Sequence, residues 1–297
     1  MKVRFIVGQS PGMHRKAAAR VTEAVREVLG SEEGIFEIRV ASGKASAEGL
    51  SREALKKGYE AVFACGGDAI VNDVATPLVG ADAVLGIIPL GAGNSFASAL
   101  GIPGDMKAAI GLIKNHLVRK VDVGTACGRY FFSTAGFAFE AHLCRKYGER
   151  ALSKKIRGTA PYYPLAMKEF FSYKTAPVML RTGAGDLNIE PFLLTAANTA
   201  QFGGGAYIAP QASPDDGLID ICYVEKAGVF GAVGFAKKMF SRSVKESKYY
   251  GFVQTEKAVI CGRESTLCHV DGQVFEHNGE ISVGVLPKSL KVFVEYL

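Results

Sequence analysis

The chain has no CxxC pair, no low-complexity tract, no internal repeat and no strong excess of one charge. It also has no apolar run approaching the roughly 18 residues of a membrane span. Each absence removes a class of protein. The six cysteines, at positions 65, 127, 144, 222, 261 and 268, lie mostly in apolar runs, as reduced core thiols do, so neither a disulfide nor a zinc site is expected. The five histidines show no ligand spacing. A net charge of +6 suits an anionic partner, a nucleotide or an acidic membrane surface, but is too mild to single out nucleic acid. The opening Met1-Lys2-Val3-Arg4-Phe5-Ile6-Val7 reads as a strand rather than a signal peptide, so a cytoplasmic location is expected, with any membrane contact peripheral.

What is present is a large apolar fraction, 48% of 297 residues, enough to bury roughly three quarters of the unfolded surface. From Cys65 to Pro103 the chain holds two glycine-rich turns, Gly66-Gly67-Asp68 and Gly91-Ala92-Gly93-Asn94. Each follows a short apolar run, Ala61 to Cys65 or Val84 to Pro89, and precedes helical spacing. A strand that delivers glycines onto a helix start offers unpaired amides and a partial positive charge to a phosphate.

Around this stretch, Val3 to Gly8, Ile35 to Ala41 and Tyr59 to Cys65 read as strands. Arg15 to Leu29 and Glu48 to Lys57 read as helices, and the alternation continues through Leu117. Such alternation predicts a doubly wound parallel sheet, with ligands beyond the carboxyl ends of its strands. After Asp122, short runs rich in Val, Ile, Phe, Tyr and Thr predict an antiparallel β-sandwich: Gly128 to Phe139, Ala176 to Arg181, Phe192 to Thr199, Leu218 to Val224, Tyr249 to Cys261, Thr266 to Val270 and Ile281 to Val285. Helical spacing interrupts them at Ala151 to Tyr173 and Gly228 to Lys248. The boundary is placed near Asp122 to Gly124, giving domains of 1–122 and 123–287, with the strand Leu290 to Tyr296 returning to the first.

The run Leu85 to Pro103, LGIIPLGAGNSFASALGIP, resembles the second conserved block of the diacylglycerol kinase catalytic-domain superfamily almost throughout. The likeness extends to STAGFAFEA (Ser133 to Ala141), to NTAQFGGGAYIAPQASPDDGLID (Asn198 to Asp220) and to Val270-Asp271-Gly272-Gln273. It implies a Rossmann-like nucleotide domain, a lipid-binding sandwich and an ATP-dependent lipid kinase. By resemblance, Gly66, Gly67, Asp68, Asn72, Gly91, Gly93, Asn94 and Ser95 hold the nucleotide, and Asp271 is the catalytic base with Asp68 on the nucleotide and metal side. Asp122 would stand behind Asp68, while Asp215, Asp216 and the Leu218 carbonyl would form a magnesium site. The chain departs from the family at Ala69-Ile70, at Ser95 and at Gln273, which replace a glycine, a threonine and two carboxylates. A weakened relative that binds lipid or nucleotide, and an enzyme resembling NAD kinase, are the alternatives. The acceptor lipid, and whether the chain forms a homodimer, are left open.

Two readings concern surfaces. The Ala151 to Tyr173 stripe reads as a core face. Val229 to Lys248, with Phe230, Val233, Phe235, Met239 and Phe240 beside five basic residues, reads as a helix docked by one face, with a helix lying on an anionic membrane as the alternative.

Overall fold

The computed structural model describes residues 1–8, 14–30, 36–42, 44–154, 162–262 and 264–295. Residues 155–161 of the Ala151 to Tyr173 stripe lie outside the described residues. The chain divides into two compact units, Met1–Val121 with Lys288–Leu297, and Asp122–Pro287. In chain order the first unit holds β1 (Val3–Gly8), α1 (His14–Leu29), β2 (Phe36–Ala41), α2 (Lys44–Lys56), β3 (Ala61–Gly66), α3 (Asp68–Ala75), β4 (Val84–Pro89), α4 (Ser95–Ala99) and α5 (Met106–Asn115). The strand β5 (Val118–Ala126) runs from this unit into the second. There follow β6 (Arg129–Phe131), β7 (Thr134–Gly136), α6 (Phe139–Lys154), α7 (Tyr162–Ser172), β8 (Val178–Thr182), β9 (Gly185–Ile189), β10 (Pro191–Ala197), β11 (Gln201–Gly203) and β12 (Ala206–Tyr207). The series ends with β13 (Ile219–Glu225), α8 (Val229–Phe240), β14 (Tyr250–Thr255), β15 (Lys257–Cys261), β16 (Ser265–Val270), β17 (Gln273–Asn278) and β18 (Ile281–Phe293).

In the first unit β2, β1, β3 and β4 pair in that order, all parallel. The end of β18 joins alongside β4, with Val292 opposite Leu85. Strands covered on both faces read as continuous apolar runs, which is why the sequence announced β1, β3 and β4. Chain direction across the sheet reverses between β1 and β3, the switch point where such sheets leave a crevice. Phe63 stacks on Phe5 with ring centroids 4.7 Å apart and on Phe293 at 5.9 Å. Asp105 caps α5 by accepting a hydrogen bond from the Ala108 amide at 2.9 Å.

One charged group is buried in this sheet. Arg4, on β1, is fully enclosed; its guanidinium donates to Glu37 at 2.9 and 2.5 Å and to the Leu50 carbonyl at 2.9 Å, and stands over the Tyr59 ring. The Tyr59 hydroxyl also donates to Glu37, at 2.6 Å.

In the second unit two sheets face each other. One contains β18, β15, β8 and β9; the other has the order β14, β13, β10, β7, β16, β17, antiparallel at each pairing. Their shared core includes Leu180, Ile260 and Val283 from the first sheet and Ala135, Ala196, Ile221 and Val270 from the second. A further core lies between the second sheet and the helices, joining Phe192, Cys222 and Val224 to Phe139 and Leu143 of α6, Leu165 and Phe170 of α7, and Phe235 of α8. Among the described residues no helix is long and apolar enough to cross a membrane.

Several element readings need correction. The run Gly128 to Phe139 is two short strands and the start of α6 rather than one strand: between the strands the Phe132 and Ser133 amides donate to the Asp271 carboxylate, and Glu140 anchors the new helix by accepting from the Phe137 amide at 3.1 Å. Tyr249 to Cys261 splits into β14 and β15. The separate strands Ile281 to Val285 and Leu290 to Tyr296 are one, β18, which passes through Pro287 and continues with Lys288 at φ +49°.

Burial pushes the Glu37 carboxyl up, but hydrogen bonds from Tyr59, Arg39 and Arg4 outweigh it and hold the group at about 2, below its ordinary 4.5. A depressed carboxyl stabilises the fold fully above its unfolded value, and the contribution disappears as pH falls through the folded value. Glu37→Gln is therefore expected to lower stability by ~1–3 kcal/mol at neutral pH, with the difference shrinking between about pH 4.5 and 2. Urea unfolding across that range checks it; a pH-independent difference would show that the ion pair is not responsible.

Candidate active site

The two glycine turns, 24 positions apart in the sequence, are in backbone contact. A Cβ built on Gly91 would lie 2.4 Å from the Gly67 Cα, and one on Gly67 would lie 3.1 Å from the Gly91 Cα. No side chain fits there, so both positions require glycine for proximity. The Leu90 amide donates to the Gly66 carbonyl at 3.0 Å, continuing the β3–β4 ladder to the contact. Asn94 shapes the second turn from a left-handed backbone, φ +51°, with its side chain accepting from the Gly91 amide at 3.0 Å and donating to the Gly91 carbonyl at 2.8 Å.

Asp68 ties the turns together. Its carboxylate accepts from the Phe96 amide at 3.3 Å and from the Ser95 hydroxyl at 3.4 Å. Burial pushes this carboxyl above its ordinary value, while the Phe96 and Ser95 donors pull it back. Ser95, where the family carries a carboxylate, is thus a donor to Asp68. Gly66, Gly67, Asp68, Gly91, Gly93, Asn94 and Ser95 come together in this way; Gly91 and Ala92 are exposed. Asn72 instead lies one turn into α3, buried, with the Thr76 hydroxyl 3.5 Å from its side-chain oxygen.

The substitution at Ile70 has a structural meaning. A Cβ on Gly8 would lie 2.3 Å from Ile70 Cγ1, and one on Gly66 2.8 Å from Ile70 Cβ. Ile70 therefore packs flat against the ends of β1 and β3 and occupies the floor of the switch-point crevice. A threonine there would be shorter and would present a hydroxyl.

The second unit gathers the other predicted residues into two connected groups. In the first, Asp122 Oδ2 accepts from the Gly217 amide at 2.6 Å, its own amide donates to the Pro214 carbonyl at 2.7 Å, and Asp216 accepts from the Leu218 amide at 3.0 Å. Asp215 accepts from the Ser213 hydroxyl at 2.8 Å. Burial, and then the charges of Asp122 and Asp215, push the Asp216 carboxyl upward. Among the described residues no group of three or more His, Cys, Asp or Glu side chains is arranged to hold a metal. Two carboxylates and a carbonyl nevertheless match the hard-oxygen donors magnesium accepts when water and phosphate complete its shell.

In the second group Asp271 and Gly272, with φ +47° and +81°, form the two-residue turn joining β16 to β17. The Asp271 carboxylate turns inward, accepting from the amides of Phe132 at 2.8 Å, Ser133 at 2.9 Å and Thr134 at 3.1 Å. Asn198 links the groups, donating to the Asp122 carbonyl at 3.0 Å and the Phe132 carbonyl at 2.9 Å. Three buried oxygens, Ser133 Oγ, Asn198 Oδ1 and Thr199 Oγ1, have no partner among the described residues. They belong together, since the amides of Asn198 and Thr199 both donate to the Ser133 carbonyl.

Sequence reasoning missed Ser133, Asn198 and Thr199, and it also missed Glu140 and His269. A Cβ on Gly136 would lie 2.3 Å from Glu140 Cγ and 2.4 Å from His269 Nε2, so two buried titratable groups crowd the space that a side chain at 136 would fill. Burial pushes the Glu140 carboxyl up to about 7, against donors from Leu194, Phe137 and Thr195, and pushes His269 down to about 4. The available signal for Glu140 was a lone acid inside an apolar run.

Gly91→Ala forces the turns apart, and calorimetry with Mg-ATP, the ligand that the resemblance implies, is expected to show at least a ~10-fold loss of affinity, about 1.4 kcal/mol, with the circular dichroism unchanged. Unaltered affinity would show that the turns do not act together. Glu140, with its folded value raised above the ordinary 4.5, supports the fold fully below that value, and the support is lost as pH rises through about 7. Relative to Glu140→Gln, the wild type should lose on the order of 1–3 kcal/mol between about pH 5 and 8 in urea unfolding. A constant difference between the two proteins would contradict this.

The diacylglycerol kinase catalytic domain family matches residues 2–126, and the YegS C-terminal NAD kinase beta sandwich-like domain family matches residues 146–294. Ser133, Gly136 and Glu140 fall between the two spans. A protein of Chromohalobacter salexigens named "Probable lipid kinase YegS-like" is 33% identical over 71% of this chain and 66% of its own length, just under two thirds. Its namesake in Pseudomonas putida is 32% identical over 70% of this chain and 71% of its own. The diacylglycerol kinase of Bacillus subtilis is 26% identical, over 75% and 74%. The crystal structure of a diacylglycerol kinase from Bacillus anthracis str. Sterne has the same fold, with a TM-score of 0.73 at 20% identity over 99% of this chain and 97% of that one. With glycine turns, sandwich and sequence likeness in agreement, the chain belongs to the diacylglycerol kinase catalytic-domain family, in the group that carries a YegS-type C-terminal domain.

Proposed function

We propose that this protein transfers the γ-phosphoryl group of ATP to a hydroxyl of diacylglycerol or a related lipid. The observation that carries the reading is the Gly67–Gly91 contact, which brings two strand-to-helix turns to one place at the carboxyl edge of a parallel sheet. Phosphates of ATP would lie against the amides of these turns, with Asp68 holding them in register. Phosphoryl transfer asks mainly for positioning and charge stabilisation, and little covalent work of the protein.

Asp271 is assigned as the base. It would take the proton of the lipid hydroxyl as the oxygen attacks the γ-phosphorus and ADP leaves, a role worth ~10²- to 10⁴-fold in rate. Three amide donors fix its rotamer. The hydrogen-bonding capacity of Ser133, Asn198 and Thr199 favours a polar headgroup in the same unit. Asp122, Asp215, Asp216 and the Leu218 carbonyl are the residues that would hold magnesium. When bound, the ion would neutralise charge and order the loop 213–218. The homologues' names support the lipid as acceptor, while ATP, the lipid species and the cytoplasmic setting rest on this reading.

A second reading, a nucleotide- or lipid-binding protein with weakened chemistry, is favoured by Ile70, which fills the crevice where relatives place a smaller hydroxyl residue. One experiment separates the two. The pure protein is incubated with γ-labelled ATP, magnesium and a mixed lipid extract, with NAD as a parallel acceptor. Label is expected in a lipid, reduced at least ~100-fold in Asp271→Asn while Mg-ATP binding and thermal midpoint are retained. Undiminished label in the variant removes Asp271 as base. Bound ATP with no labelled product selects the second reading, and label on NAD overturns both.

A further inference from the structure

The helix α8 is apolar on two faces, and the fold uses only one of them. Phe235 is buried and stacks near Tyr250 with ring centroids 6.4 Å apart, and Ala232 and Met239 pack against the same core. The opposite face carries Val229, Val233 and Phe240, 41%, 41% and 46% exposed, and Phe230, 94% exposed. At 3.6 residues per turn these four side chains fall within an arc of about 100°. A helix that is apolar all round is normally enclosed on all sides. Here, among the described residues, Phe230 and Val233 keep much of their surface exposed.

Charge identifies what would cover them. From Lys226 to Lys248 the chain has six basic residues, Lys226, Lys237, Lys238, Arg242, Lys245 and Lys248, and one acid, Glu246. Six minus one gives +5 in this stretch, against +6 for the whole chain. Among the described residues its only ion pair is Lys238 with Glu246, at 2.9 Å. Arg242 stands over the Tyr207 ring at 4.2 Å and Lys245 over Phe252 at 4.8 Å, which holds these cations beside aromatic surface. A second copy of the chain would set this charge against its own like, so self-association here is opposed.

We propose that α8 docks the protein on anionic membranes, with Phe230 and Val233 entering the acyl boundary and the basic residues reading lipid phosphates. This deepens the lipid-kinase reading, on which it rests for why the protein meets a bilayer, but the binding itself needs no ATP. Apolar burial and electrostatic attraction add in such helices, and the attraction is screened by salt. The patch continues toward α7: Lys226 donates to the Tyr173 carbonyl at 2.6 Å, just past the end of that helix, whose Phe171 is 64% exposed.

The test is flotation without nucleotide, on vesicles of phosphatidylcholine alone and of phosphatidylcholine with about 30% phosphatidylglycerol. Wild type is expected to partition at least ~10-fold more strongly onto the anionic vesicles, less so at high salt, and the double variant Phe230→Ser/Val233→Ser to lose that gain with its circular dichroism unchanged. The chain has no tryptophan, so Phe230→Trp provides a single probe, whose emission should shift to the blue on anionic vesicles only. Equal binding by the double variant, no partition of wild type, an unshifted emission, or a dimer in sedimentation that disappears in the double variant would each overturn the proposal. Kinase activity on detergent-dispersed lipid is scored separately, so a protein that floats but does not transfer phosphate fails only the earlier reading.

Discussion

The parallel-sheet unit of this molecule depends on two backbones touching where no side chain can stand. The Gly67–Gly91 contact is closer than any Cβ allows, and it makes one surface from turns that belong to different strands. A hydrogen bond from Leu90 to Gly66 brings the strands to that point, and Asp68 closes it by accepting from the amide and hydroxyl that open α4. The buried carboxylate is raised by desolvation and restrained by those donors, so its position reflects competition between burial and hydrogen bonding. The departures from the family pattern fit the same geometry: Ser95 completes the Asp68 contact, and Ile70 replaces polar contact with apolar packing at the junction of β1 and β3.

The second unit solves a different problem, the burial of polar groups in a sandwich. Asp271 satisfies three consecutive amides at the β6–β7 connection, and Asn198 satisfies two carbonyls of neighbouring segments. Buried donors and acceptors are normally paired, and the carboxylate and amide do this where strand ladders stop. Against that background the unpartnered oxygens of Ser133, Asn198 and Thr199 stand out, because they have been desolvated without a partner among the described residues. Gly136 shows the complementary device: its missing side chain leaves space that Glu140 and His269 both enter.

Much of this was legible in the sequence, and the reasons are particular. The parallel strands announce themselves because both faces are covered, and the glycine turns because each joins such a strand to a helix. The strand β17 was missed since its half-exposed Gln273 and exposed Glu276 and Asn278 carry no apolar period, and β18 was read as two strands because Leu286-Pro287-Lys288 looks like a stop. In the site, Gly66 to Asp68 and Gly91 to Ser95 are compact motifs that sequence reading can find. Glu140, Asn198 and His269 owe their roles to partners far away in the chain, as when Leu194 donates to Glu140, and no spacing records that.

The path of β18 bears on how the chain is made. Its first half pairs with β15 inside the sandwich unit, and its last residues pair with β4 of the parallel sheet. The sheet that holds the glycine turns therefore receives a strand from beyond the entire 122–287 segment. On the ribosome the amino-terminal unit emerges first and its edge at β4 stays open until the sandwich has been synthesised. A nascent chain arrested before Val292 would expose that edge, which makes the arrival of Val292 beside Leu85 the point at which β4 is closed to pairing with neighbouring molecules.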